Sequence, residues 1–342
     1  MARPTVDLGI ASFGIALGQE QDVAATAARY VDNPERVTNW GYRTYHRAAE
    51  GVHATDLATT AAQQAIDRLG IEADSIDLVV FTNSDVPEYL YWDGAAALAR
   101  NLKIGQVQTL LLDEGCAAGV HGLYYVAATM AMQPEVSTAL FVAVNRVSEF
   151  HRNRMNVVNA VISDGAGAAI VRRGHPANRW LATEQFTDPE HCDLLRLDFG
   201  GAVQPLPRPG WSSTTAPGGH AEVRARFGND PAVLRSYLQS RYARMLDAID
   251  GACTRAGLTR DEIAHLIYLN DSASSIAAIA EPLGIPLART NAALAPEHGH
   301  MGGADQLVSL AVQLDSGELR PGEVVALCGI SAGRWSATLI RV

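Results

Sequence analysis

The chain has 342 residues, 48% of them apolar and 19% charged, enough for two domains or one large pseudo-duplicated one with a substantial core. A net charge of −10 without any Lys/Arg block argues against a nucleic-acid binder. No uninterrupted apolar run of about 18 residues is present to span a membrane. The four cysteines, Cys116, Cys192, Cys253 and Cys328, lie far apart without CxxC or other metal spacing, and the ten histidines form no HExxH-type cluster, so no metal site is expected. The start, MARPTVDLGIASFGIAL, has one arginine and an apolar run broken by Asp7; it does not read as a signal peptide, and a reduced cytoplasm is the expected compartment.

In chain order, Val6 to Ala16 reads as a strand with glycine breaks. The region from Val23 to Tyr45, with Pro34 and Trp40, suits a surface helix and a loop at a pocket mouth. Thr55 to Leu69 is an amphipathic helix that Gly70 ends in the C′ manner. Ile76 to Thr82 is a buried strand and Asp93 to Leu102 an alanine-rich helix.

The stretch from Gln108 to Met132 organises the rest. Thr109 to Leu112 suits a buried strand; after Asp113-Glu114-Gly115 the spacing turns helical, with Val120, Leu123, Tyr124, Ala127 and Ala128 on one face. Cys116 sits at the hinge, followed by Ala117, Ala118 and Gly119. A cysteine at such a junction meets the helix's unpaired N–H groups and the positive end of its dipole, which favour a thiolate. Small neighbours let a substrate carbonyl approach, so Cys116 is a candidate nucleophile, with a small buried thiol as the alternative. His121, in the second turn of that helix, reads as packing.

After Pro134, Thr138 to Val144 is an apolar strand, and His151 to Asn159 a polar loop carrying Arg152 and Arg154. Ser163 to Ile170 (SDGAGAAI) leads into a strand ending at Val171. Strands alternating with helices predict an α/β protein with mainly parallel sheets. Gly174 to about Asn229 is irregular and rich in Pro and Gly, which fits either loops over a substrate site or a domain connection. Val233 to Ala256 is a long helix. Asp261 to Leu269 gives a helix turn and a strand, Ser274 to Leu283 and Gly302 to Leu314 give helices, and Val324 to Cys328 and Ser336 to Ile340 two final strands. The second half, 174–342, thus echoes the first, 1–173, without a literal repeat.

Four segments carry a resemblance: DEGCAAGVHGLYYVAATM around Cys116, SDGAGAAI from Ser163, PGEVVALCGISAGRWSATL from Pro321 and SIDLVVFTNS from Ser75. Together they resemble the ketoacyl-ACP synthase III branch of the thiolase superfamily, across nearly the whole chain and most weakly between about 174 and 260. The resemblance implies a five-layer αβαβα fold with two duplicated halves, normally a homodimer. It implies that Cys116 accepts an acyl group from acyl-CoA or an acyl carrier protein, with no tightly bound cofactor. The oxyanion would lie between the backbone N–H of Cys116 and one from the Ser331-Ala332-Gly333 turn, Ala332 in the family register.

The chain also departs from that family. Condensing members carry a histidine in a His-Gln-Ala-Asn motif and an asparagine in a Gly-Asn-Thr-Ser motif, which together stabilise the enolate left when malonyl-ACP loses carbon dioxide. Here the first position reads Leu269-Asn270-Asp271-Ser272-Ala273 and the second Gly299-His300-Met301-Gly302-Gly303-Ala304-Asp305. A Cys/His/Asp set supplies nucleophile, base and orienter. His300 would be the base, and either Asp271 or Asn270 would orient it, Asp271 also fitting a helix N-cap; Asp305 reads as a surface helix residue. Ester-forming members, acyltransferases that decorate glycosylated antibiotics, look similar at these positions. Arg152, Arg154, Arg208, Arg224 and Arg226 are candidates for coenzyme A phosphates or a substrate carboxylate.

These features lead to an acyltransferase that loads Cys116 and passes the acyl group, malonyl among the candidates, to a hydroxyl such as a sugar of a secondary metabolite, without decarboxylation. The alternatives are a condensing synthase for polyketide priming and a non-catalytic thiolase-fold partner subunit.

Overall fold

Thr138–Asn145 is apolar along most of its length and buried at every position, so each of its faces must be covered by another layer. The computed structural model describes residues 6–157 and 160–342. The first five residues of the chain's start, and Val158 and Asn159 at the end of the polar loop, lie outside the described residues.

The first half runs β1 (Leu8–Leu17), β2 (Gln19–Asp22), α1 (Val23–Thr26), α2 (Pro34–Thr38), β3 (Thr44–Arg47) and α3 (Ala54–Leu69). It continues through β4 (Leu78–Asn83), α4 (Gly94–Asn101), β5 (Gln108–Leu112), α5 (Ala118–Met132), β6 (Thr138–Asn145) and β7 (Gly165–Arg173). The second half runs β8 (Arg179–Thr187), α6 (Gly219–Arg226), α7 (Pro231–Ala256), β9 (Ile263–Ile267) and α8 (Ala273–Ala280). It ends with α9 (Ala295–His298), α10 (Asp305–Asp315), β10 (Val324–Ser331) and β11 (Arg334–Arg341). Gly70 closes α3 at φ 67°, its N–H on the Ile66 and Asp67 carbonyls.

The strands lie in the order β5-β4-β6-β7-β1-β8-β11-β10-β9, with the two halves meeting where Gly9 pairs Arg179. Each half repeats one order: β5-β4-β6-β7-β1 is matched by β9-β10-β11-β8, with Thr290 bridging Leu266 at the free edge where β5 stands in the first half. The sheet is mixed rather than mainly parallel. Among the described residues only the strand pairs β4–β5, β4–β6 and β9–β10 are parallel; β6 reaches β7 through a loop and β10 reaches β11 through a two-residue turn, with no crossover helix among the described residues of either.

Period-two alternation builds the layers. Val79 and Phe81 of β4 and Leu140, Val142 and Val144 of β6 face α3 and α4. Leu78, Val80, Phe141 and Ala143 face α5 and α10, which are covered on their far side by Val325 and Leu327 of β10. Ala326, Cys328 and Ile330 then face α7 and α8. The result is the five-layer αβαβα arrangement, with α5 and α10 at its centre. Gly119 is required there: a Cβ would collide with the Gly303 carbonyl oxygen and lie 2.6 Å from Gln306 Oε1, so the starts of the two central helices could not meet.

Two further expectations are corrected. The stretch from Gly174 to Asn229 contains β8 and α6; β8 (RWLATEQFT) is largely half-buried and polar, which hides its strand period. The Val23 to Tyr45 region is more than a surface helix and loop: Val23, Ala27, Val37, Tyr42 and Tyr45 form a small core with Val147, Met155 and Val161.

Candidate active site

β5 ends at Leu112 and the chain makes a short 3-10 turn over Gly115–Ala117 before α5 begins. Gly115 takes φ 56°, and Ser331 presses so close that a Cβ would meet its Oγ at 2.5 Å, which excludes a side chain. This turn presents Cys116, half-buried and unpaired, at the end of the central helix layer. At the corresponding place in the second half, before α10, stands His300. Its backbone is pinned on both sides: its N–H donates to Val161 O at 2.8 Å and its carbonyl accepts from Ser163 N–H at 2.8 Å.

The two side chains meet, with Cys116 Sγ and His300 Nε2 3.1 Å apart. His300 Nδ1 lies 2.5 Å from Asp305 Oδ2, and Asp305 is fully buried at the start of α10. A carboxylate only accepts, so Nδ1 carries the hydrogen and Nε2 is the atom that exchanges a proton with the sulfur. Burial of the ring opposes its charge, but Asp305 and then Cys116 outweigh that and hold His300 well above the ordinary histidine range. The arrangement puts a thiol, an imidazole and an anchored carboxylate in successive contact.

These groups open into a cavity of about 170 Å³, also lined by Asp85, Arg152, Arg241, Asp271 and Ala332. Leu194, Leu195 and Val223 from the irregular stretch supply apolar wall, so that stretch does cover the site. A larger, open groove of about 1010 Å³ along Asp74, Lys103 and Gln108 contains none of this chemistry. Among the described residues no group of three His, Cys, Asp or Glu side chains is arranged to hold a metal ion, and no helix is long and apolar enough to cross a membrane.

Models of the 3-oxoacyl-[acyl-carrier-protein] synthase III family and of its C-terminal region match residues 112–189 and 253–342, the segments carrying Cys116 and the His300–Asp305 pair. In these two segments the chain is similar to the synthase III family. It is 26% identical to the β-ketoacyl-[acyl-carrier-protein] synthase III of Rhizorhabdus wittichii over 96% of this chain and 97% of that one. The enzyme of the same name from Thermosynechococcus vestitus is 27% identical over 88% and 87%. Among solved structures, the acyltransferase ChlB3 superposes with a TM-score of 0.85 at 24% identity, covering 98% of both chains. The synthase III of Pseudomonas aeruginosa gives 0.78 at 23%, again covering 98% of both.

The geometry of the site changes several sequence expectations. Asp271 does not orient His300. A tight turn, with Asp271 N–H on Leu269 O at 2.7 Å, sends its side chain into the cavity, where it accepts the Ser272 N–H at 2.6 Å. Burial pushes its carboxyl above the usual range. Asn270 does not orient the ring either. Its side-chain amide donates to Gly299 O at 3.0 Å and its N–H donates to Asp305 Oδ2 at 2.8 Å, so it braces the loop and the carboxylate that do. Asp305, expected at the surface, fills the post. The missed signal is the helix it opens: Leu307, Val308, Leu310 and Ala311 interleave with buried Gln306, Ser309 and Gln313, which marks a helix buried all round.

Arg154 is not available to substrate, because it is buried and held by Asp164 at 2.8 Å and Glu149 at 2.5 Å. Arg152 does line the cavity, its Nε 3.5 Å from Asp85. Arg208 and Arg224 are exposed and Arg226 reaches Asp198 at 3.2 Å. Ala332 is on the cavity wall at φ 38° in the turn between β10 and β11, a left-handed conformation costly for a residue with a Cβ. His121 is buried against Glu114; burial first, and Arg334 second, push it down to about 4, so it is neutral packing near pH 7. Asp85 and Arg241 are cavity groups that sequence reasoning passed over, since neither stands in a motif.

Proposed function

We propose that this chain is an acyltransferase that takes an acyl group from a coenzyme A or acyl carrier protein thioester onto Cys116 and delivers it to a hydroxyl acceptor without decarboxylation. The observation that carries this reading is the contact of Cys116 Sγ with His300 Nε2, backed by Asp305. In loading, the Cys116 thiolate attacks the donor carbonyl, the carbon–sulfur bond to the donor breaks, and the departing thiolate takes the proton from the His300 imidazolium. In transfer, the neutral Nε2 removes the proton from the acceptor hydroxyl as its oxygen attacks the acyl carbon. The bond to Cys116 breaks, leaving an ester and the thiolate beside imidazolium again. Asp305 stabilises the cation in both steps, and the N–H groups of Cys116 and Ala332 would receive the oxyanion.

Two features support acyl transfer over condensation. The decarboxylating His/Asn pair of condensing members is replaced by the Asn270-Asp271 doublet and His300, and ChlB3, similar in fold, bears the name of an acyltransferase. A sugar hydroxyl of a secondary metabolite is the acceptor class we favour. A homodimer belongs to the same reading; β5 lies at the sheet edge with Leu111 exposed, and a monomeric mass in solution would count against pairing there.

The test is intact-protein mass spectrometry after exposure to a panel of acyl-CoAs and acyl-ACPs, beside Cys116→Ala. A malonyl adduct retaining its carboxylate, absent in the variant and discharged by an alcohol, is the expected result. The second reading, a condensing synthase, is favoured by the curated relatives' name. An acetyl adduct from malonyl donor, or a carbon–carbon product, would establish it instead.

A further inference from the structure

The mechanism uses neither cation of the cavity, Arg152 or Arg241. Arg241, midway along α7, lines the same space as Cys116 and His300. Its surroundings are aromatic: the guanidinium carbon sits 5.1 Å from the Tyr242 ring centre, and one Nη donates to Tyr242 Oη at 3.3 Å. Its Nε is cut off from solvent and meets no acceptor among the described residues. No carboxylate among the described residues forms an ion pair with it, and Asp271 acts on it only at longer range. The contrast with Arg154 is sharp, since that shut-in guanidinium is paired with two carboxylates. An unpaired guanidinium in a low-dielectric wall is strongly unfavourable unless a ligand completes it.

We propose that Arg241 is an acyl-specificity residue that receives a carboxylate at the far end of the group carried on Cys116, so that the preferred donor is the thioester of a short dicarboxylic acid. This rests on the reading that Cys116 is acylated. A planar guanidinium presents parallel N–H donors that match a carboxylate. The alternatives within the cavity are poorer. Arg152 faces Asp85 at 3.5 Å, and Leu194, Leu195, Val223 and Ile330 offer no donors. Asp271 also faces the space, where its Oδ1 is taken up by the Ser272 N–H at 2.6 Å. The acyl exchange needs no further reactant: sulfur replaces sulfur at the acyl carbon and the distal carboxylate is retained.

The experiment measures Cys116 loading rates by intact mass for shape-matched pairs, malonyl- against isovaleryl-CoA and succinyl- against 4-methylvaleryl-CoA, in wild type, Arg241→Met and Arg241→Lys. Wild type is expected to favour the charged member about tenfold or more, the equivalent of one charge-assisted contact. Arg241→Met should bring that ratio towards one, with Arg241→Lys between. A ratio unchanged in Arg241→Met, or a wild-type preference for the neutral member, overturns the proposal. A parallel arm records the melting-temperature shift caused by free malonate, which needs no acylation. A shift lost in Arg241→Met together with equal loading of charged and neutral groups would place the carboxylate on the acceptor and overturn the acyl assignment. No adduct from any donor would sink the acyl-transfer reading itself, while the malonate arm would still show whether Arg241 holds a carboxylate.

Discussion

Asp305 Oδ2 accepts from two sides, from His300 Nδ1 at 2.5 Å and from the Asn270 N–H at 2.8 Å, while its other oxygen takes the Met301 N–H at 2.7 Å. A carboxylate held by three donors cannot swing, so the imidazole it anchors keeps one edge towards Cys116. Asp305→Asn retains the shape but removes the charge and offers the ring a different partner. It is expected to slow Cys116 loading and its labelling by iodoacetamide at pH 7 about a hundredfold or more. Asp271→Asn, which leaves the His300 anchor in place, should cost clearly less. Equal losses from the two substitutions would contradict the assignment of the orienter.

Arg154 is a structural residue. Its guanidinium pairs with Asp164, whose side chain is 1% exposed, and with Glu149. Arg154→Met strands Asp164 in the interior, and chemical denaturation should show a loss of about 3–5 kcal/mol. Were the variant fully stable but poor in donor KM, the residue would belong to substrate binding after all.

His121 gives a pH dependence with a definite sign. Its folded value is lowered from 6.5 to about 4, so the unfolded chain binds the extra proton between those limits and the folded chain does not. The neutral ring's contribution is complete above about pH 6.5 and is lost as the pH falls towards 4, at up to about 1.4 kcal/mol per pH unit. Melting curves of wild type and His121→Gln across that range should diverge, the variant having the shallower fall towards acid. Parallel curves would show that His121 takes up its proton in the folded state as easily as in the unfolded one.

Gly119 couples the two halves of the site. A methyl group there runs into the Gly303 carbonyl and Gln306 Oε1, backbone and side chain of the segment that carries His300 and Asp305. Gly119→Ala gains local helix propensity of about 1 kcal/mol, yet it should lower the melting temperature and slow Cys116 loading together. A stabilised and fully active variant would mean that the helix starts can separate without disturbing the Cys116–His300 contact.

Much of this protein depends on neighbours close in sequence, and that part was legible in the chain. The 3.6-residue period of α3 and its Gly70 cap, the apolar runs of β4 and β6, and the handover from strand to helix at Cys116 are local events, and they stand within a few residues of where their patterns put them. The positive φ that closes α3 at Gly70 is likewise a property of one residue. Strand direction was not local: the loop between β6 and β7 and the tight turn after β10 leave mixed pairing where alternation alone suggested parallel strands. Nor were the partners of the charged groups. Cys116 and His300 are 184 residues apart, and whether Asp271 or Asp305 meets the imidazole depends on how the turn after β9 lands against the start of α10. Arg154 and Arg241 are the same residue type, yet one is enclosed by two carboxylates and the other is left open to the cavity. A side chain's charge is written in the sequence; its burial and its counter-ion are set by packing, because electrostatic free energy depends on distance and surrounding medium rather than on order along the chain.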